Sequence, residues 1–255
     1  PNVVTSLQFE RILSASGPYQ GKVLRPSDGK TPKKIAWIQC VGSREASASN
    51  YCSSVCCMYS LKEAYELKMK LGEEFEATLF YMDIRAFGKG WEEYYNKAKE
   101  AGINLIRCRI HTVTPVQEDN LEITYVDGNG ELQKGEFDLV VLATGMETPD
   151  DCVELAEKAK INLAQGEFAD TSSFSPTATS VPGIYVAGTF QAPKDIYDSI
   201  TDARAAAGNV ARLLGDTGKE AEASEEKTVT EEAGEAKIGV IFPGFPWQAL
   251  ADKDL

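Results

Sequence analysis

The chain has 255 residues, 43% of them apolar, which is enough to bury the core of one large domain or two ordinary ones. Its 26 basic and 39 acidic residues give a net charge of -13, which argues against nucleic acid and anionic membrane surfaces as partners. No apolar run approaches the roughly 20 residues of a membrane span, and the chain does not open on a signal pattern, so we expect a cytoplasmic protein.

Apolar periodicity predicts strands and helices in alternation over the first 145 residues. The predicted helices are "TSLQFERILSA", "SVCCMYSLKEAYELKMKLG" and "KGWEEYYNKAKEAG", the last two stopped by Gly72 and Gly102. The predicted strands are "KIAWIQC", "EATLFYMDI", "INLIRCRIHTVTPV", "LEITYVD" and "GEFDLVVLAT". The turn sequence "VDGNGEL" indicates a hairpin. This order predicts an α/β fold: a parallel sheet with helices on both faces and a small antiparallel insert at its edge.

The remainder of the chain changes character twice. A helix "CVELAEKAKI", a strand "IYVAG" and a long Ala-rich helix "PKDIYDSITDARAAAGNVARLLG" are predicted first. Residues 216–236 contain eight acidic residues and no aromatic residue, a composition typical of a linker. Residues 237–255 form a tail to which the sequence assigns no role.

Four of the six cysteines, Cys40, Cys52, Cys56 and Cys57, follow the pattern C-x11-C-x3-C-C. A reducing compartment favours metal binding or catalysis over disulfides for such a cluster. Thiolates bind both zinc and iron-sulfur clusters, but the paired Cys-x2-Cys knuckles of structural zinc sites are absent. Cys52 and Cys56 are one helical turn apart, and a helix N-terminus stabilises an anionic cluster, so the spacing favours iron-sulfur. Zinc and inert buried thiols are the alternatives.

The stretch "FDLVVLATGM", followed by "VPGIYVAGTFQAPKDIYDSITDARAAAGNVA", has the order expected at the end of a flavoprotein with two dinucleotide domains. Gly145 allows the backbone to approach a flat ligand, and Gly188 leads into a helix N-terminus that can bind pyrophosphate. The sequence contains no G-x-G-x-x-G. Cysteines occupy the loop where a nicotinamide-binding fingerprint would lie, and an iron-sulfur cluster there would make this loop an electron relay in place of a hydride-donor site.

A family resemblance is carried by "IQCVGSR", "YCSSVCCMYSLKEA", "FYMDIRAFGKGWEEYY", "VVLATGM" and "PGIYVAGTFQAPKDIYDSITDARAAAGNVA". Together these stretches resemble HdrA, the flavin-carrying component of heterodisulfide reductase, over about residues 1–215. The resemblance implies part of a thioredoxin-reductase-like flavoprotein fold with two dinucleotide domains. Residues 1–34 would then end the first FAD-domain segment, 35–145 would form the second dinucleotide-type domain with its iron-sulfur insertion, and 146–215 would form the C-terminal FAD-domain segment.

The resemblance also implies FAD and a 4Fe-4S cluster whose ligands are Cys40, Cys52, Cys56 and Cys57. Lys62 matches a family lysine beside the reactive flavin nitrogen, where a cation stabilises anionic reduced flavin; a helix-surface lysine is the alternative. The residues that match flavin-contacting segments are Gly145, Gly188, Thr189, Phe190, Gln191, Pro193, Lys194, Asp195 and Ile196. Thr189 stands where many flavoproteins have Asp, so its contact to the ribityl chain is an open point.

The implied function is that of an electron-transfer oxidoreductase subunit or fragment, and flavin-based electron bifurcation is an inference from the family alone. Expected partners are the N-terminal FAD-binding segment, other heterodisulfide-reductase-like subunits and an electron-donor subunit, with a homodimer as a further option. Two alternatives are an NAD(P)H-dependent disulfide or quinone reductase with structural zinc, and a non-catalytic scaffold. Because the chain starts at Pro1 and lacks the FAD fingerprint, we expect a piece of a longer or split protein.

Overall fold

The computed structural model describes residues 2–219, without the side chains of His111 and residues 216–219. The main sheet consists of β1 (Val3–Thr5), β2 (Lys34–Val41), β3 (Glu76–Tyr81), β4 (Asn104–Arg107) and β8 (Leu139–Thr144). Its strands are all parallel and lie in the order β1-β8-β2-β3-β4. A second, antiparallel sheet contains β5 (Ile110–Pro115), β6 (Leu121–Val126) and β7 (Leu132–Phe137) in sequence order.

Within residues 2–219, five α-helices connect or follow these strands: α1 (Ser6–Leu13), α2 (Cys56–Leu71), α3 (Trp91–Glu100), α4 (Asp150–Ala159) and α5 (Ile196–Lys219). A capping box formed by Thr5 and Gln8 starts α1. Gly72 ends α2 at a φ of 82°, a value that glycine adopts without strain, so the predicted stop is confirmed. The helix after "PKD" starts three residues later than the Pro from which it was predicted, and it continues to Lys219.

Different elements cover the two faces of the main sheet. Successive strand residues point to opposite faces, so Trp37 and Val141 face one side and Ala36 and Val140 face the other. The first side packs against residues of α1, α2 and α3, and the second packs against β6 and β7. The α/β class, the parallel sheet with helices and the antiparallel insert are confirmed. Within the described residues the insert packs on one face of the main sheet rather than at its edge. A strand buried on both faces is apolar throughout, whether helices or a second sheet cover it. The apolar pattern of the strands therefore does not tell which element packs on a given face.

The predicted strand "IYVAG" is not a strand in this structure. Tyr185 makes a single isolated bridge to Ala178, and a short 3-10 turn begins at Gly188. A strand requires a neighbour that continues the hydrogen-bond ladder, and the described chain offers only that one bridge here. The apolar run therefore reflects burial, which is deepest at Val186, rather than pairing.

The crevice between β2 and β8 lies at the carboxyl edge of the main sheet. From β2 the chain continues through α2 to β3 on one side, and β8 later pairs with β2 on its other side. Ligands of open α/β sheets bind at such a reversal of strand order. Cys40 and Gly145 both lie there, at the ends of β2 and β8.

Residues 1–213 form one compact unit. β1 pairs with β8, and α1 packs in the core on the helix side of the main sheet. These two elements therefore belong to the same packed unit as the residues after 34. The predicted domain boundaries stay predictions. Residues 216–219 of the predicted linker continue α5, and the rest of the linker and the tail at 237–255 lie outside the described residues. No helix within residues 2–219 has the length and apolar character needed to cross a bilayer.

Candidate functional site

Residues 42–55, here called the cysteine loop, connect the end of β2 to the start of α2. Cys40 near the end of β2 and Ser54 within the loop have φ values of 59° and 63°. These values lie in the left-handed region, which a non-glycine residue adopts only at a cost in free energy. Cys56 is the first residue of α2, whereas Cys52 precedes Ser54 in the loop. The prediction that Cys52 and Cys56 are one turn apart on a helix is therefore wrong, because the backbone turns left-handed between them.

Three of the four predicted cluster ligands interact with one another. Hydrogen bonding to the Cys56 thiol lowers the pKa of Cys40 to about 6 against the opposing effect of burial, and Arg44 lowers it further. The Cys56 thiol likewise lowers the pKa of Cys57, while the pKa of Cys56 itself is raised by its bonds to both neighbours. The three thiols therefore influence one another's pKa.

Cys52 has a backbone contact of its own. Its sulfur accepts a hydrogen bond from the Ser54 backbone N–H at 3.3 Å. Among the residues that the structure describes, no three His, Cys, Asp or Glu side chains are arranged as a ready metal-binding group. The donor chemistry of the four thiols suits zinc or an iron-sulfur cluster, but the four-ligand arrangement is not preformed.

Charged side chains from the segments after β2 and β3 enclose the cysteines. Arg44 forms a bidentate pair with Asp83, and Arg85 lies 3.5 Å from the same carboxylate. The hydrogen bond from Arg44 holds the pKa of Asp83 below its usual value. The Asp83 carbonyl oxygen lies 3.7 Å from the Cys57 sulfur, so the carboxyl end of β3 also reaches the site.

Gly145 directly follows β8 and packs against the cysteine loop. A methyl group added here would lie 2.2 Å from the hydroxyl oxygens of both Ser43 and Ser53. Those hydroxyls are 3.0 Å apart, and the Ser53 hydroxyl accepts a hydrogen bond from the Met146 N–H. The packing of the loop against β8 therefore requires glycine at this position, whether or not a ligand is bound.

A cavity of about 890 Å³ adjoins the cysteine loop, and Ser54 and Val55 form part of its wall. Its size is within the range of small-molecule sites. The predicted residues that line it are Lys62, Thr189, Pro193, Lys194, Asp195 and Ile196. The predicted residues that are not part of its lining are Gly145, Gly188, Phe190 and Gln191. The structure thus brings the helix lysine to the same cavity as Thr189 and residues 193–196.

Lys62 forms an ion pair with an acidic residue that the sequence did not predict as its partner. Its Nζ lies 2.6 Å from Glu10 Oε1 on α1 and 3.7 Å from Glu66 on its own helix. Burial opposes ionisation, but the bond to Glu10 raises the pKa of Lys62, so the side chain is a cation. Glu10 and Lys62 are 52 residues apart in sequence, and no motif connects them.

Several predicted flavin residues have structural contacts of their own. Lys194 forms a close ion pair with Asp202 and donates to Gln191 Oε1 at 2.6 Å. Asp195 caps α5, because its Oδ1 accepts the Asp198 N–H at 2.8 Å. These contacts fix the start of α5 beside the cavity.

Comparison with known proteins places the chain in a family. No family model matches it. It is 44% identical over 219 residues to the second HdrA-type iron-sulfur subunit of CoB–CoM heterodisulfide reductase from Methanopyrus kandleri, covering 84% of this chain and 33% of that protein. It is also 44% identical over 216 residues to the HdrA-type subunit of the H2/formate:CoB-CoM heterodisulfide,ferredoxin reductase from Methanococcus maripaludis, covering 82% and 33%. The chain belongs to the HdrA family of heterodisulfide reductase.

This HdrA-like chain spans about a third of the length of the curated relatives it matches. Among solved structures it is similar to thioredoxin reductase of T. acidophilum, with a TM-score of 0.48 and 13% identity over 82% of this chain and 56% of that one. Three residues beside the site, Glu10, Arg44 and Asp83, were not singled out in sequence. Arg44 and Asp83 lie within the matching stretches "IQCVGSR" and "FYMDIRAFGKGWEEYY", which could have identified them, whereas Glu10 lies outside every matching stretch.

Proposed function

We propose that this chain is the part of an electron-transfer oxidoreductase that carries electrons between FAD and a 4Fe-4S cluster in a heterodisulfide-reductase-like complex. One observation carries the proposal: the cysteine loop and the Lys62 cavity share a wall at Ser54 and Val55. A flavin in the cavity and a cluster on the loop would therefore be neighbours. The name of the Methanopyrus relative, an iron-sulfur subunit of a reductase, agrees with this chemistry.

Flavin exchanges electrons in pairs or singly, whereas a 4Fe-4S cluster accepts one at a time, so the two together convert between the two modes. In this chain Lys62 supplies a cation at the cavity wall, and Glu10 fixes its position. Cys40, Cys56 and Cys57 would supply three thiolate ligands, and the cysteine loop would have to bring Cys52 to them. Flavin-based electron bifurcation in the full assembly is the finer proposal, and it rests on the family resemblance.

Anaerobic reconstitution with iron and sulfide tests the cluster. We expect about four irons per chain, with loss of iron on substituting Cys40, Cys52, Cys56 or Cys57 by Ser. Cys108→Ser and Cys152→Ser are matched controls that should retain iron, because neither thiol belongs to the interacting group. Zinc without iron would favour the flavoreductase alternative, and a chain that takes up neither metal would favour the scaffold.

The flavin midpoint potential tests the cavity, measured in a preparation that retains FAD. Lys62→Met should lower this potential, because a cation beside the ring stabilises the anionic reduced form. Lys97→Met is the control, since Lys97 is paired with Glu93 on the exposed side of α3. Equal potentials in the two variants would remove the proposed role of Lys62.

A further inference from the structure

Most of the buried polar side-chain atoms without partners belong to two adjacent elements, β2 and α2. In the described part of the chain, the atoms of this kind are Arg25 Nε, Gln39 Nε2, Gln39 Oε1, Ser60 Oγ and Glu63 Oε1. Arg25 Nε lies 3.3 Å from Asp28 Oδ1, so an ion pair offsets its burial. The other four atoms belong to three residues between β2 and α2, which we call the polar seam: Gln39, Ser60 and Glu63.

Two features fix the position of the polar seam. At one end Trp37 Nε1 donates to Glu63 Oε2 at 2.7 Å, and at the other end Cys56, the first residue of α2, lies close enough to Cys40 to lower the pKa of that thiol. Strand β2 and helix α2 run in opposite directions, so residues 37 to 40 of β2 lie alongside residues 63 to 56 of α2. Strand alternation puts Gln39 on the face of Trp37, and helix geometry puts Ser60 on the face shared by Cys56 and Glu63. Gln39 and Ser60 therefore lie between the two ends.

The polar seam is closed to bulk solvent. Gln39 is 7% exposed, and Ser60 and Glu63 are fully buried. Each unsatisfied buried polar group costs about 1 to 3 kcal/mol, so three residues of this kind in one interface require a partner. The usual interior partner is ordered water, which makes about three hydrogen bonds to such groups. The amide of Gln39, the hydroxyl of Ser60 and the carboxyl of Glu63 provide that number of contacts.

Glu63 is an acid that stays protonated near neutral pH. Burial raises its pKa to about 8, against the hydrogen bond from Trp37. The charged groups around it are Glu10 of α1, which raises the pKa, and Lys62 and Glu66 of α2, which respectively lower and raise it. Tyr59, one turn earlier on α2, also faces it, and β2 contributes the Trp37 N–H. Glu63 can therefore hold a proton to give or to take.

We propose that the polar seam encloses ordered water and forms a proton path between the Glu63 carboxyl and the cysteine end at Cys56. The redox part of this inference rests on the proposed function. One electron passed from reduced flavin to the cysteine site would add one negative charge, and above about pH 8, where Glu63 is ionised, its carboxylate would take up one proton to offset it. That proton comes from solvent at the half-buried Cys40 end; reoxidation returns both the electron and the proton.

Infrared spectroscopy of the metal-free chain tests the path without relying on the cluster. At pH 7 the wild type should show a protonated carboxyl band that Glu63→Gln removes and the control Glu66→Gln retains. In D₂O the band should shift within the mixing time. The double variant Gln39→Met/Ser60→Ala, which lines the seam with apolar groups, should slow that shift at least tenfold. A band that exchanges slowly in the wild type, or equally fast in the double variant, would overturn the proposal.

The redox linkage has its own measurement. With the cluster reconstituted, the midpoint potential should fall with rising pH above about 8 and be independent of pH there in Glu63→Gln. Equal pH dependence in both proteins would overturn the linkage. If no cluster assembles, the proposed function fails, while the infrared exchange still decides whether the path exists.

Discussion

Gly145 lies where the carboxyl end of β8 meets the cysteine loop. The sequence singled it out as a place where the backbone could approach a flat ligand. The structure gives a packing reason instead, since Ser43 and Ser53 occupy the space that a side chain would need. For Lys62, the sequence predicted its position on a helix. It did not predict the ion pair with Glu10, because only folding brings α1 beside α2.

Gly145→Ala should destabilise the chain by about 1 to 3 kcal/mol, because the new methyl group overlaps two hydrogen-bonded hydroxyls. Gly128→Ala is the matched control, since a methyl group there would meet nothing within 4 Å. Its effect should stay within about 0.5 kcal/mol. Denaturant unfolding of both variants checks this, and equal stability would show that the loop yields to the methyl group.

At the scale of elements, the helices were read more accurately than the strands. The stop of α2 at Gly72 and the hairpin between β6 and β7 follow from local chemistry, since glycine and Asn-Gly turns tolerate positive φ. The run "INLIRCRIHTVTPV" contains two strands, β4 and β5, which pair in different sheets. Strand identity depends on a partner that is distant in sequence, so a local pattern cannot assign it.

The start of α5 allows a structural and a functional role of Asp195 to be separated. Asp195→Ala should remove the cap and cost about 1 kcal/mol locally, raising amide hydrogen exchange in the first turn of α5 about fivefold. Asp195→Asn should retain the cap and the exchange rate, since its amide oxygen accepts the same bond. Fast exchange in both variants, measured without flavin, would contradict the capping role.

At the scale of the whole molecule, Glu63 links global stability to pH. Its pKa is raised from 4.5 to about 8, so between these values the folded state holds a proton that the unfolded state has lost. The free energy of unfolding therefore falls as pH rises through this window, by up to about 1.4 kcal/mol per pH unit. Glu63→Gln should be free of this fall, whereas Glu66→Gln should follow the wild type. Parallel wild-type and Glu63→Gln stability curves between pH 4.5 and 8 would show that Glu63 ionises normally.

Local sequence was sufficient for the α/β class, most helix positions, the cysteine cluster and the family. These follow from periodicity, from turn chemistry and from residue patterns that are contiguous along the chain. Only folding showed that the small sheet covers one face, that Cys52 lies outside α2 and accepts a hydrogen bond from Ser54, and that Lys62 shares a cavity with Thr189 and residues 193–196. Only folding also buries polar atoms of Gln39, Ser60 and Glu63 without partners. Such contacts join residues far apart in sequence, and their energies depend on burial, which no local pattern records.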